Sequence, residues 1–147
     1  MSLLQGLRVV QIGEGLAAAV CGRLFADVGA DVSCIDPDMS PLAAYLDHGK
    51  PIIARDPAAR HKAITAADLI VCEGRPQDLR ALQYDADSFR RHNATAPLVY
   101  ISPFGQTGPK ANDPATDLTL FFASGIARLL TGQVDDLAEP PIRPVGE

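Results

Sequence analysis

The stretch Arg8–Asp36, RVVQIGEGLAAAVCGRLFADVGADVSCID, decides the fold. Arg8 to Ile12 is a short apolar run that reads as a strand. Gly13, Gly15 and Ala18 follow it at the spacing GxGxxA. Leu16, Val20, Leu24 and Val28 recur every four residues, which places them on one helical face, flanked by Ala17, Cys21 and Phe25. Gly29 ends that helix, because glycine takes the left-handed conformation at low cost. Asp31 to Ile35 is a second apolar run, closed by Asp36. Two strands joined through a helix lie parallel with a right-handed crossover. The glycine turn lets a backbone approach a phosphate at the helix N-terminus.

Outward from this unit the same alternation continues. Pro41 to Tyr45 forms a short helix, Asp47-His48-Gly49-Lys50 a turn, and Pro51 to Ala54 a short strand. Asp56 before Pro57 is a helix start, a capping carboxylate followed by proline at the first position, and the helix runs to Ala66. Asp68 to Cys72 (DLIVC) is a buried strand. Arg75-Pro76 opens a helix to about Leu82, and Asp85 or Asp87 caps another through His92. Pro97 to Ser102 (PLVYIS) is a further strand, followed by the glycine- and proline-dense loop Pro103–Pro109. Thr116 or Asp117 starts a last helix whose Leu118, Phe121, Phe122, Ile126 and Leu129 keep helical spacing. From Thr131 the chain is irregular and proline-rich. Strands alternating with helices at short intervals predict an α/β fold, Rossmann-like, with a mostly parallel sheet and helices on both faces. Such sheets bind ligands at the carboxyl ends of their strands, which here carry Gly13–Leu16, Asp36–Asp38, Glu73–Arg75 and Ser102–Gln106.

The bulk properties narrow the function. With 147 residues, 47% of them hydrophobic, the chain is long and apolar enough for a real core. A net charge of −5 without a basic cluster argues against nucleic acid as the main partner. No apolar run has the length of a membrane span, and no signal-peptide pattern opens the chain. Cys21, Cys34 and Cys72, an odd count in helix or strand interiors, fit buried thiols in a reducing compartment, so the expected location is cytoplasmic. His48, His61 and His92 are isolated, His61 and His92 in polar, solvated stretches. No His/Cys/Asp spacing suggests a metal, and no GxSxG elbow or Ser-His-Asp signature is present. Lys50 and Arg75 are each a candidate phosphate partner or a surface cation.

By local pattern alone, GxGxxA with Asp36 about 20 residues on is a dinucleotide-binding signature, Asp36 accepting from a ribose hydroxyl. The competing account is structural: a tight strand-to-helix turn favours glycine, and close helix–sheet packing favours alanine.

The later segments shift the balance. CGRLFADVGADVSCIDPD, HGKPIIARD, ADLIVCEGRP, LVYISPFGQTGP and TDLTLFFASG occur in an order and spacing that resembles the class III coenzyme A transferase family, also called the CaiB/BaiF family. The likeness runs from about Leu4 to the last residues, and FGQTGP after a strand is its most specific piece. The resemblance implies a Rossmann-like N-terminal half that binds coenzyme A over residues 1–130. Residues 131–147 would be an irregular tail leading to an absent C-terminal part. It implies that Glu14, Gly15, Leu16, Ala17 and Ala18 lie against the pantetheine and pyrophosphate. Pro37 would flank the adenine, with Glu73, Gly74, Arg75, Ser102 and Phe104 completing the groove. Coenzyme A would be a substrate; no cofactor and no metal are implied.

The family's reaction uses an aspartate that attacks the acyl-CoA thioester and then carries coenzyme A as an aspartyl thioester. That aspartate is expected shortly after Pro141-Ile142-Arg143-Pro144, so no catalytic residue is assigned here. This chain by itself is expected to be inactive and to associate as a homodimer or with the rest of its protein. Asp117 reads as a helix cap or first-turn acid. Where the family's α-methylacyl-CoA racemases carry a histidine before that aspartate, this chain has Thr116, which cannot carry a proton near neutral pH. A nicotinamide or flavin domain and a non-catalytic binding module stay open beside the transferase and racemase readings.

Overall fold

The computed structural model describes residues 2–53, 56–130 and 138. Four strands, β1 (Arg8–Ile12), β2 (Asp31–Ile35), β3 (Leu69–Glu73) and β4 (Leu98–Ile101), form one sheet in the order β2-β1-β3-β4. All neighbours pair parallel: Val9 stands opposite both Val32 and Leu69, and Ile70 opposite Leu98. The predicted parallel α/β sheet therefore forms. The Pro51 run adds less than expected. Ile52 makes a single bridge to Cys34, with Cys34 N–H donating to Pro51 O and Ile53 N–H to Cys34 O, and no strand is built over the described residues 51–53.

Helices cover both faces. On one, α1 (Leu16–Asp27) packs Cys21, Phe25 and Ala26 against Val9, Val32 and Val71. On the other, α3 (Pro57–Ala66), α4 (Pro76–Ala81) and α5 (Ala86–His92) bring Ile64, Leu79 and Phe89 onto Val10, Ile12, Ile70 and Cys72. Between β2 and α3 lies the short α2 (Pro41–Leu46). The helix starts follow their caps: Ser40, Asp56 and Asp85 each accept from a backbone N–H three residues on. Asn93 closes the α5 end. Its side-chain nitrogen donates to Ile64 O and Ala67 O, both at 2.9 Å, and its oxygen accepts from Ala96 N–H at 3.0 Å.

The structure gives the α1 stripe its side and corrects the reading of Lys50. The stripe Leu16, Val20, Leu24 and Val28 faces outward, 39–63% exposed; the residues of α1 buried against the sheet are Ala18, Ala19 and Gly22. Lys50 is neither a surface cation nor open to a phosphate. Its side chain is 2% exposed, and Nζ donates to Asp47 Oδ1 (2.7 Å), Gln11 Oε1 (2.9 Å) and Ala19 O (3.0 Å). Gln11, on the centre of β1, also donates to Asp47 at 3.1 Å. Gly22 makes room for this cluster: a Cβ there would stand 2.0 Å from Gln11 Oε1. A buried charge needs such partners, because desolvation is otherwise uncompensated.

One compact unit ends at Asn112 and a second begins at Asp113. The second contains α6 (Asp117–Ala123), capped by Thr116, and α7 (Ile126–Leu130). The predicted single last helix is thus split. Gly125, at φ 79°, breaks the run between Phe122 and Ile126. Apart from Ala138, the tail 131–147 lies outside the described residues, as does Ala54.

Candidate functional site

Parallel strands end on one rim. The turns after all four meet there, and with the order β2-β1-β3-β4 the crevice between outward-running connections falls between β1 and β3. The glycine turn before α1 and the Glu73-Gly74-Arg75 segment face each other across it.

Their contact is direct. Glu73 Oε2 accepts from Ala18 N–H at 2.6 Å. A Cβ on Gly15 would stand 1.9 Å from Glu73 Cδ, and one on Gly13 2.7 Å from Glu73 O. Gly13 also holds φ 118°, a conformation L side chains rarely adopt. Glu14, Leu16 and Ala17 are exposed beside this contact, while Ala18 is buried. On the other flank, Gln106 Nε2 donates to Gly74 O at 3.2 Å. Arg75 is not free to meet a ligand in this state: its Nε donates to Asp78 at 2.7 Å and its Nη1 to Asn112 O at 3.4 Å. Ser102 Oγ is buried with no hydrogen-bond partner, and Pro37 and Phe104 are partly buried.

At the end of β2, Asp36 sits at φ 49°. Its Oδ1 accepts from Arg60 Nη2 at 2.6 Å and its Oδ2 from Tyr84 hydroxyl at 3.4 Å. Arg60 Nη1 also donates to the Tyr84 oxygen at 2.9 Å. Burial pushes the Tyr84 hydroxyl above its ordinary range. Arg60 and Tyr84 were not predicted as rim residues. Nothing in local spacing marks them, since they reach Asp36 from elements 24 and 48 residues away. A hollow of about 350 Å³ is lined by residues that include Pro76, Leu79, Arg80, Asp85, Tyr100 and Gln106.

The remaining candidates are placed as follows. Cys34 and Cys72 are buried and Cys21 partly so, all three unpaired; burial pushes the Cys34 and Cys72 thiols up to about 12. His61 and His92 are exposed but not isolated: their rings meet edge to face at 4.7 Å. Thr116 Oγ1 accepts from Thr119 N–H at 3.2 Å, and Asp117 is a first-turn acid of α6. Among the described residues no group of three His, Cys, Asp or Glu side chains could hold a metal ion. None of the described helices is long and apolar enough to cross a membrane.

Comparison with known proteins adds four findings. Residues 53–145 match the family model described as CoA-transferase family III. A CaiB/baiF CoA-transferase family protein of Caenorhabditis elegans is 27% identical over 88% of this chain and 40% of its own length. The succinyl-CoA–D-citramalate CoA-transferase of Chloroflexus aurantiacus is 28% identical over 95% of this chain and 39% of its own. The chain thus spans about 40% of the length of these relatives. A crystal structure of a CAIB/BAIF family protein from Brucella suis superposes with a TM-score of 0.75 at 23% identity, covering 97% of this chain and 43% of that one; this likeness supports the fold.

Proposed function

The chain belongs to CoA-transferase family III, and on that premise we propose that it is the coenzyme A-binding part of a protein that transfers coenzyme A between an acyl-CoA and a carboxylic acid. The observation that carries the reading is the rim: four parallel strands whose turns all open on one edge, as ligand-binding α/β sheets require. In this reading Glu14–Ala18 and Glu73–Arg75 line the coenzyme's path, with Pro37 on one flank and Ser102 and Phe104 on the other. The small, exposed Ala17 lets the ligand come close to backbone beside the turn.

The family's reaction uses a carboxylate as the attacking group, and no residue of this chain is assigned that role. The Cys34 and Cys72 thiols do not compete for the role, because a thiol raised to about 12 is protonated at neutral pH. Asp36 and Glu73 are held by Arg60 and Ala18 N–H. In this reading the chain by itself binds coenzyme A without turnover, and the protein works in the cytoplasm. The outward stripe of α1 is covered in the working protein by a second copy or by the family's remaining sequence.

Titration calorimetry with coenzyme A and with NAD tests the reading. Coenzyme A is expected to bind and NAD not. Preference for NAD would replace the reading with a dinucleotide domain, and binding of neither would favour a non-catalytic module. Incubating the chain with succinyl-CoA and an acceptor acid should give no new thioester; turnover would refute the inactivity.

A further inference from the structure

α1 begins without the usual means of satisfying its first amides. Gly15 offers no side-chain cap, and the first turn holds no acidic residue. The missing acceptor comes from 55 residues away: Glu73 Oε2 takes the Ala18 N–H at 2.6 Å. The carboxylate lies in the space that a Gly15 side chain would fill, since an added carbon would meet Cδ, Oε1 and Oε2 at 1.9, 2.0 and 2.2 Å. Gly13 answers to the same residue through its carbonyl oxygen. Both glycines of GxGxxA are thereby accounted for by Glu73, and one of the amides that such a turn presents to phosphate, that of Ala18, already holds an anion.

We propose that Glu73 is a built-in occupant of the turn. Its carboxylate closes the α1 N-terminus to phosphate, and a coenzyme bound on this rim keeps its phosphates away from residues 13–18 unless Glu73 swings out. This rests on the reading that coenzyme A uses the rim, and it departs from the expectation that the pyrophosphate lies against Glu14–Ala18.

The test titrates the 147-residue chain with inorganic pyrophosphate and, separately, with coenzyme A, in the wild type, Glu73→Gln and Glu73→Ala forms. Circular dichroism checks folding, and the Ala18 amide resonance reports on the turn. Pyrophosphate affinity is expected to rise at least tenfold in Glu73→Ala, with Glu73→Gln between, and pyrophosphate should move the Ala18 amide only in the variants. Equal or weaker pyrophosphate binding in the folded variants overturns the proposal. So does a wild-type chain whose Ala18 amide responds to pyrophosphate, a readout that needs no variant to fold. The coenzyme A arm judges the underlying reading separately. A pyrophosphate gain with no form binding coenzyme A leaves Glu73 as occupant and sinks the coenzyme reading. Coenzyme A binding without the gain does the reverse.

Discussion

On the side of the sheet covered by α3, α4 and α5, large apolar side chains meet: Ile12, Ile35 and Ile70 from the strands, Leu79 and Phe89 from the helices, with Tyr84 stacked on Phe89 at 5.8 Å. On the α1 side the centre of β1 is Gln11, and under the helix lie Lys50 and Asp47, all three buried. One face is held by bulk, each large buried side chain contributing about 1.5–3 kcal/mol. The other is held by closeness. Ala18, Ala19 and Gly22 bring α1 down onto a charged cluster, and the helix start is thereby delivered to the end of β3. The difference teaches why α1 turns Leu16, Val20 and Leu24 to solvent while Phe25 still packs on the sheet: beside Ala18, Ala19 and Gly22 the space beneath the helix is taken by a lysine.

The comparison can be broken most sharply at Lys50. Lys50→Met leaves Asp47 and Gln11 buried without their cation and should cost about 3–5 kcal/mol in chemical denaturation. Adding Asp47→Leu should recover most of it, because replacing a whole buried pair by apolar groups is often neutral; a Lys50→Met chain as stable as wild type would mean that this face does not depend on the cluster. Next in size, Gly22→Ala drives a methyl to 2.0 Å from Gln11 Oε1. It should lose about 1–3 kcal/mol by overpacking. The loss should shrink in a Gln11→Ala background, and an unchanged loss would place the strain elsewhere.

The smallest effect belongs to a solvated pair on neither face. Arg8 grips Asp68 through Nε (3.0 Å) and Nη2 (2.8 Å) at the amino edge of the sheet. The guanidinium holds the Asp68 carboxyl at about 2, below its ordinary 3.8. A depressed carboxyl stabilises above its ordinary value and loses that contribution as the pH falls from 3.8 through about 2. Thermal melts of wild type and Arg8→Ala should differ slightly at pH 6, with the gap narrowing as the pH falls from 3.8 through about 2; a gap undiminished at pH 2 would assign it to packing. Exposed pairs count for little where buried ones decide.

Much of this architecture was legible. Strands buried on both faces read as unbroken apolar runs, and the runs opening at Arg8, Asp31, Asp68 and Pro97 became the four strands in parallel order, the last two beginning at Leu69 and Leu98. The caps at Asp56 and Asp85 were visible as side chains able to reach a free amide. What failed to show was which side of α1 meets the sheet. A period of four identifies a face but carries no sign, and alanines next to a glycine look weak beside Leu16 and Leu24. Lys50 was hidden by its neighbours, since Asp47-His48-Gly49-Lys50 has the composition of a surface turn. For the candidate site, the rim turns were found because parallel strands must end together. The pairing of Glu73 with Ala18, and of Asp36 with Arg60 and Tyr84, spans 24 to 55 residues and leaves no local periodic trace.

Asn93 carries a consequence for the ageing of the protein in storage. Its amide nitrogen faces two carbonyl oxygens at the junction of α3 and β3. Hydrolytic loss of ammonia there would set an acidic oxygen against both carbonyls, turning two attractions into two repulsions with the backbone left uncut. The lesion adds one dalton, so intact mass alone would scarcely register it, while an ion-exchange profile would separate the altered chain by its extra negative charge.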